Sequence, residues 1–444
     1  MEKIVIVGAG LVGSLQAVLM AQKGYQVEIY ESRPDLRNVE LKGGKSINLA
    51  LSNRGWKALE MAGMADDVND VCIPMYGRRM HAIDNTLSYQ PYGKENEAIY
   101  SVSRGDLNKK MLLKASEYEN VKFFFNYRCR DLDIKTNTLT FEDENGKFIE
   151  VKADRIFGTD GAYSAVRNRL MRTERFNYSQ EYLKHGYKEL LLPANADGTH
   201  KLDKNALHIW PRGEYMLIAL PNFDGSFTCT LFFPFEGKYS FKSLDTDEKV
   251  VAFFQEQFPD FTEMFPELIQ EYHENPTSSL VMVKCDPWNY EDKILLMGDA
   301  AHAIVPFYGQ GMNAGMEDCS VFMEMLADYG EDWDQLFHEF AAVRKPDGDA
   351  ILELALQNYI EMRDLVGDKD FLLRKKIEKK IFEKHPTKWM PLYSQVTFSH
   401  IRYSDALSTG KKQEKIMDGV MSIPNIHEIW DSEEVENQIL SSIE

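Results

Sequence analysis

Cysteine is scarce in this chain, and its five copies (Cys72, Cys129, Cys229, Cys285, Cys319) are odd in number, widely spaced and never arranged as CxxC. That pattern excludes a disulfide framework and a zinc cage and points to a reducing compartment, so a cytoplasmic location and no metal site are expected. No stretch reaches the ~18 consecutive apolar residues that a membrane span requires. The chain opens directly on "KIVIVGAG", without the basic, apolar and small-residue succession of a secretory signal. Basic residues are also short, 51 Lys and Arg against 70 Asp and Glu, for a net charge of −19. A nucleic-acid partner needs a basic stripe, so none is expected. Low-complexity tracts and internal repeats are missing too. What remains is an ordinary globular composition, 44% hydrophobic and 27% charged, over 444 residues. One hydrophobic core does not serve that length, so two or three structural units are expected.

The first 31 residues read as a βαβ unit: a strand at Ile4 to Val7, glycines 8, 10 and 13, a helix from Ser14 to Gln22 stopped by Gly24, and the strand "QVEIYE". "GAGLVG" therefore stands where GxGxxG has a mechanism. Gly8 permits the tight turn, Gly10 lets a pyrophosphate reach the backbone, and Gly13 lets helix and strand approach closely. Eighteen residues after Gly13, Glu31 ends the second strand, in position to accept ribose hydroxyls of an adenosine. Dinucleotide binding follows, with NAD and FAD still undivided.

Farther on, a turn at Gly43 leads to an apolar segment and a helix ending at Gly63, and Ser103 caps a helix through Tyr118. Strands alternate around the "DENGK" turn, and a strand-rich region runs from about Lys184 to Phe235, where "YMLIALPNFDGSFTCTLFFPF" reads as two strands about an Asn-Phe-Asp-Gly turn. From Asp318 the pattern is helical, with a break near Pro346. Two further motifs bear on chemistry. "GTDGAYSAVRNRL" ends a strand at Asp160-Gly161, and "KILLMGDAA" delivers Asp299 to a strand end before a helix beginning near Gly311. Strand ends and helix N-termini are where open α/β sheets hold phosphates and hydroxyls.

GxGxxG, then "DGAYSAVR", then "GDAAHAIVPFYGQGMN", in that order, resemble the class A flavoprotein monooxygenases, FAD-dependent aromatic hydroxylases of the p-hydroxybenzoate hydroxylase fold. The resemblance implies a discontinuous α/β FAD-binding domain of Rossmann-like type (residues 1–70, 98–180 and 285–345). It implies an inserted β-sheet substrate domain (71–97 and 181–284) and a C-terminal helical region (346–444) closing the substrate site. Gly8, Gly10, Gly13 and Glu31 are then expected to hold the ADP part of FAD, with Arg104 and Asp160 nearby. Asp299 is expected at the ribityl chain or pyrophosphate, and Gly309, Gly311, Met312 and Asn313 at the flavin's polar edge. No second GxGxxG exists, which fits NADPH as a transient co-substrate with no fold of its own.

Longer segments, among them "PYGKENEAIYSVSRGDLNKK", "RKPDGDAILELALQNYIEMRD" and "PLYSQVTFSHIRY", resemble the members of that family that hydroxylate L-kynurenine with NADPH and dioxygen. The missing C-terminal apolar span matches their soluble bacterial type. By position, Arg79, Tyr92, Asn358 and Tyr393 are expected to bind the substrate carboxylate, with Arg78 the alternative one residue away. Met216, Leu220, Phe232, Pro306, Phe307 and Met362 are expected to wall the ring. The residue types fit: a carboxylate suits a planar cation and hydroxyl donors, and an aryl ring suits apolar walls. Taken singly, Tyr92 and Tyr393 fit a hydrogen-bonded core equally well, Arg104 fits a solvated helix start, and Asn358 a helix-face amide. Asn358 nevertheless lies beside Leu354 and Ile351 at helical spacing, on a face that should be apolar. No general base is expected, because the ring amine activates the ring. His302 invites a proton-shuttle role, but its place in "GDAAHAI" favours a structural or flavin-adjacent one. A hydroxylase of another aromatic acid, a flavin oxidase, and a flavin-binding regulator are the rival functions.

Overall fold

The computed structural model describes residues 2–38, 48–94, 96–362 and 368–443. The turn expected at Gly43 lies outside them. Lys3–Val7 forms the centre of a six-stranded sheet, paired in parallel with Gln26–Glu31 on one side and Arg155–Gly158 on the other. Val121–Phe125 and Ile294–Leu296 extend it in parallel, and the short Asn289–Tyr290 strand closes one edge. Ile4, Val5 and Ile6 are fully buried, as expected for strands covered on both faces.

The first helix begins at Leu11, three residues earlier than the apolar periodicity suggests, because Gly10 holds an extended backbone and serves as its N-cap. A Cβ on Gly13 would lie 2.0 Å from the Gly8 carbonyl oxygen and 2.5 Å from Thr159 Oγ1, so only glycine lets this helix sit on the sheet end. Gly8 has φ +99°, and a Cβ there would meet the Thr159 carbonyl at 2.7 Å. Its role extends past the turn to packing against the Asp160 loop.

The inserted region is a seven-stranded sheet in the order Thr277–Asp286, Asn177–Leu192, Phe227–Pro234, Met216–Pro221, Ala206–Pro211, Gly77–His81, Leu87–Pro91. The Asn-Phe-Asp-Gly hairpin forms as expected, whereas the sheet's longest strand starts at Asn177 rather than Lys184. By sheet membership the insert begins at Gly77, because Ile73–Met75 pairs in a small sheet with Ile99–Ser103. Both faces of the large sheet are covered. One packs on the helices Asp247–Gln257, Pro259–Glu263 and Leu268–Glu274 through a phenylalanine-rich core, where each buried phenylalanine contributes roughly 1.5–3 kcal/mol. The other faces the functional cavity and the helices Trp333–Ile360 and Tyr403–Met421.

The break expected at Pro346 does not occur. Trp333–Ile360 is one helix with Pro346 inside it, so the expected boundary at residue 346 cuts through an element. Proline removes the hydrogen bond that the Ala342 carbonyl would accept; at the neighbouring Val343 carbonyl the guanidinium of Arg402 donates from outside the helix. A separate small core, including Ile381, Trp389 and Ile439, joins the C-terminal helices.

Candidate functional site

A cavity of about 340 Å³ runs from the glycine turn to the far edge of the large sheet. At one end it is lined by Gly10, Leu11, Val12, Arg104, Gly161 and Asp299. A Cβ built on Gly10 meets nothing within 4 Å, so open space faces the backbone where the expected pyrophosphate would approach. Asp299 is exposed at the first turn of the short Asp299–His302 helix. Asp160 is held behind the wall, its Oδ2 accepting from the Ala165 (2.7 Å) and Val166 (3.3 Å) N–H groups. Its Oδ1 is buried without a partner, and burial raises this carboxyl's pKa despite those bonds. Glu31 accepts from the Ala9 N–H at 2.8 Å and from Arg33 Nε at 2.9 Å. Burial pushes its carboxyl up, and the Arg33 contacts bring it below its ordinary range.

The wall between the two ends is the Val305 to Met312 turn. Pro306, Phe307, Gly309, Gly311 and Met312 all line the cavity. Asn313 does not. Its Nδ2 donates to the carbonyls of Gly309 and Ala50 (2.8 Å each) and its Oδ1 accepts from Ser52 N–H (2.9 Å). The side chain is therefore spent on shaping the turn, in which Gly309 is left-handed (φ +67°).

Strand parity settles the other end. Along the large sheet Arg78 pairs with Leu207, and Met80 with Ile209, Ile218 and Thr230 in turn, so these share the cavity face. Arg79 pairs with His208 on the opposite face, where it binds Asp203 at 3.1 Å and stacks over Tyr89. The expectation for Arg79 is thus corrected to Arg78, which lines the cavity with its guanidinium over the rings of Tyr393 (4.8 Å) and Tyr92 (5.4 Å). Arg78 Nε and the Tyr92 hydroxyl are both buried without a partner. Tyr92, Tyr393 and Tyr308 form a nearly parallel stack, with centroids 5.3 and 5.6 Å apart. Burial raises the pKa of all three phenols, which keeps them hydrogen-bond donors.

Met216, Leu220, Phe232 and Met362 line the apolar middle of the cavity. Asn358 stands behind the wall, contrary to the expected carboxylate contact: its Nδ2 donates to the Phe307 carbonyl at 2.6 Å and approaches Met362 Sδ at 3.2 Å. It places Phe307, whose ring stacks on Tyr359 at 3.9 Å and meets Phe232 at 4.8 Å. His302 is outside the cavity lining, stacked on Trp288 and 2.6 Å from Asp318 Oδ2. Of its two expected roles the structural one stands, so His302→Asn should lower the thermal midpoint yet leave KM for the aromatic substrate within about twofold, read by thermal melts and initial rates.

The FAD binding domain family matches residues 1–355. The chain is 54% identical over 444 residues to the kynurenine 3-monooxygenase of Flavobacterium johnsoniae, covering 100% of this chain and 99% of that one. The chain belongs to the kynurenine 3-monooxygenase family. The enzyme of that name from Sus scrofa is 42% identical, over 93% of this chain and 88% of its own. Among solved structures, the tetrameric form of 2-methyl-3-hydroxypyridine-5-carboxylic acid oxygenase shares the fold, with a TM-score of 0.67 at 20% identity over 82% of this chain and 94% of that one.

FAD, the cofactor of this family, fits the residues present: an open approach at Gly10 and an exposed carboxylate at Asp299 face one continuous space, with the orphaned Asp160 acceptor just behind its Gly161 wall. The two glycines separate experimentally. Gly10→Ala should fold with an unchanged apoprotein melting temperature and bind FAD at least tenfold more weakly, whereas Gly13→Ala should lose stability before any cofactor is added. Calorimetric melts and FAD titration check both. Sequence reasoning missed Ile218 and Thr230, although period-2 spacing from Met216 and Phe232 points to them. It also missed Tyr308 and Tyr187, which line the same space and carry no local signal.

Proposed function

We propose that the protein hydroxylates L-kynurenine to 3-hydroxykynurenine, using FAD, NADPH and dioxygen, in the cytoplasm. The observation that carries this reading is a cavity that begins at the nucleotide-binding glycines and ends, across apolar walls, at one arginine flanked by two partly buried tyrosines. An aromatic amino acid has the matching polarity: a carboxylate for Arg78, and a ring for Met216, Leu220, Phe232, Pro306 and Phe307. Bound FAD, reduced by NADPH, supplies oxygen activated from dioxygen.

The chain's own part is placement and exclusion of water. Arg78 neutralises the carboxylate, and the Tyr92 and Tyr393 hydroxyls donate to it. Phe307, braced by Asn358 and Tyr359, presses the ring into one plane. The aniline nitrogen of the substrate activates its ortho carbon, so no phenol has to be deprotonated and no general base is assigned. On the cofactor side Gly8, Gly10, Gly13 and Glu31 hold the ADP part. Arg104, Asp160 and Asp299 serve its pyrophosphate and ribityl hydroxyls, and Gly309, Gly311 and Met312 its ring edge. The shape of that turn depends on Asn313.

Purified protein incubated with NADPH, oxygen and L-kynurenine should yield 3-hydroxykynurenine by mass spectrometry, and salicylate or p-hydroxybenzoate should not be hydroxylated. Absence of the product, or preference for either acid, removes the assignment. A flavin oxidase would form peroxide without hydroxylated product, and a flavin-binding regulator would leave the substrate intact.

A further inference from the structure

Arg54, on the Asn53–Met61 helix, is fully buried. Its guanidinium donates to the carbonyls of Val396 (2.9 Å), Gln395 (3.4 Å) and Ile401, and to the Glu317 carboxylate. All three carbonyls lie between Tyr393, which faces the cavity, and Tyr403. The Tyr403 ring lies on the same guanidinium, 3.9 Å from centroid to carbon, and its hydroxyl donates to Gln310 Oε1 at 2.9 Å. Gln310 is 1% exposed and stands between Gly309 and Gly311, both of which line the cavity. Asn313 holds the Gly309 carbonyl from the other side.

We propose that Arg54 and Tyr403 are positioning residues that couple the arginine–tyrosine end of the cavity to the turn lining its cofactor end. The inference rests on the function proposed above. A ligand carboxylate drawn to Arg78 enters a stack in which Tyr393 lies between Tyr92 and Tyr308, so Tyr393 must adjust. Its chain segment cannot adjust independently, because parting it from Arg54 leaves a buried guanidinium with Glu317 as its one remaining acceptor. Displacement is therefore passed along the held segment to Tyr403 and, through one hydrogen bond, to Gln310. Neither residue lines the cavity; Arg54 acts through the backbone it holds, and Tyr403 through the Gln310 side chain.

Tyr403→Phe keeps the ring on Arg54 and removes the donor. With the FAD-loaded protein titrated with L-kynurenine, the substrate dissociation constant should stay within twofold of wild type. The change in visible flavin absorbance on binding should shrink at least threefold, and the share of NADPH consumption ending as hydrogen peroxide should rise at least threefold. Gln310→Met removes the acceptor and should give the same pair of changes, with the double variant no worse than either single one. Should Tyr403→Phe fail to fold, Gln310→Met carries the test alone. A full-sized absorbance change in a variant, or additive effects in the double, overturns the coupling. A wild type that forms no 3-hydroxykynurenine overturns the proposed function instead, so the two failures are distinguishable.

Discussion

Replacing Arg78 by alanine is expected to lower kcat/KM for L-kynurenine by roughly 30- to 700-fold, the equivalent of losing ~2–4 kcal/mol from a desolvated charged contact. Most of the change should fall on KM, because the carboxylate is bound alike in the ground and transition states. The neighbouring Arg79→Ala should change KM less than threefold. Its guanidinium faces the other side of the sheet and pairs with Asp203, and both side chains are about a third or more exposed, a setting in which an ion pair contributes about 0–1 kcal/mol. Arg78→Lys should fall between the two, since it keeps the charge but loses the planar fork and the stacking on Tyr393 and Tyr92. Initial-rate kinetics with product quantified by mass spectrometry decide the matter. A larger penalty at Arg79 than at Arg78 would reverse the assignment.

The second large effect concerns stability. Arg344 has 3% side-chain exposure and donates to Asp318 (2.9 Å), Glu317 (2.9 Å) and Asp347 (3.3 Å). Arg344→Met leaves these buried carboxylates short of a cation, which should cost about 3–5 kcal/mol and show as a lower urea midpoint. The acid limb should move as well. Burial pushes the Asp318 carboxyl up, but His302, Arg344 and the Gly298 N–H bring it below its ordinary value. A group depressed in the folded state stabilises the fold above the unfolded pKa, about 4, and that contribution is lost as pH falls through the folded value. Without Arg344 the folded pKa of Asp318 rises, so acid unfolding should begin at higher pH. An unchanged acid midpoint together with an unchanged urea midpoint would show that the remaining partners, Arg54, His302 and Arg402, suffice.

This buried network also explains why His302 draws attention in the sequence. A histidine after Gly-Asp-Ala-Ala has the look of chemistry, and its real partner, Asp318, is sixteen residues on, inside the Gly311–Tyr329 helix. Asn358 is a similar case. Its polarity on an apolar helix face is a genuine signal, but for a buried backbone acceptor at Phe307 rather than for a ligand.

Features that depend on neighbours in the chain were legible from residues alone. The glycine turn, the acid at the end of the second strand and the Asn-Phe-Asp-Gly hairpin each follow from local conformational preference, and the order of the motifs carried the family, whose resemblance in turn implied the apolar wall residues. What only the tertiary structure decided is which way side chains face where both sides are covered. The large sheet is covered on each face, and Gly77–His81 carries two adjacent arginines of like exposure, so no polar alternation marks which of them faces the cavity. A shift of one residue exchanges Arg78 for Arg79. The parallel pairing of that strand with Ala206–Pro211, more than a hundred residues away, sets the register, and no local pattern encodes a contact of that separation.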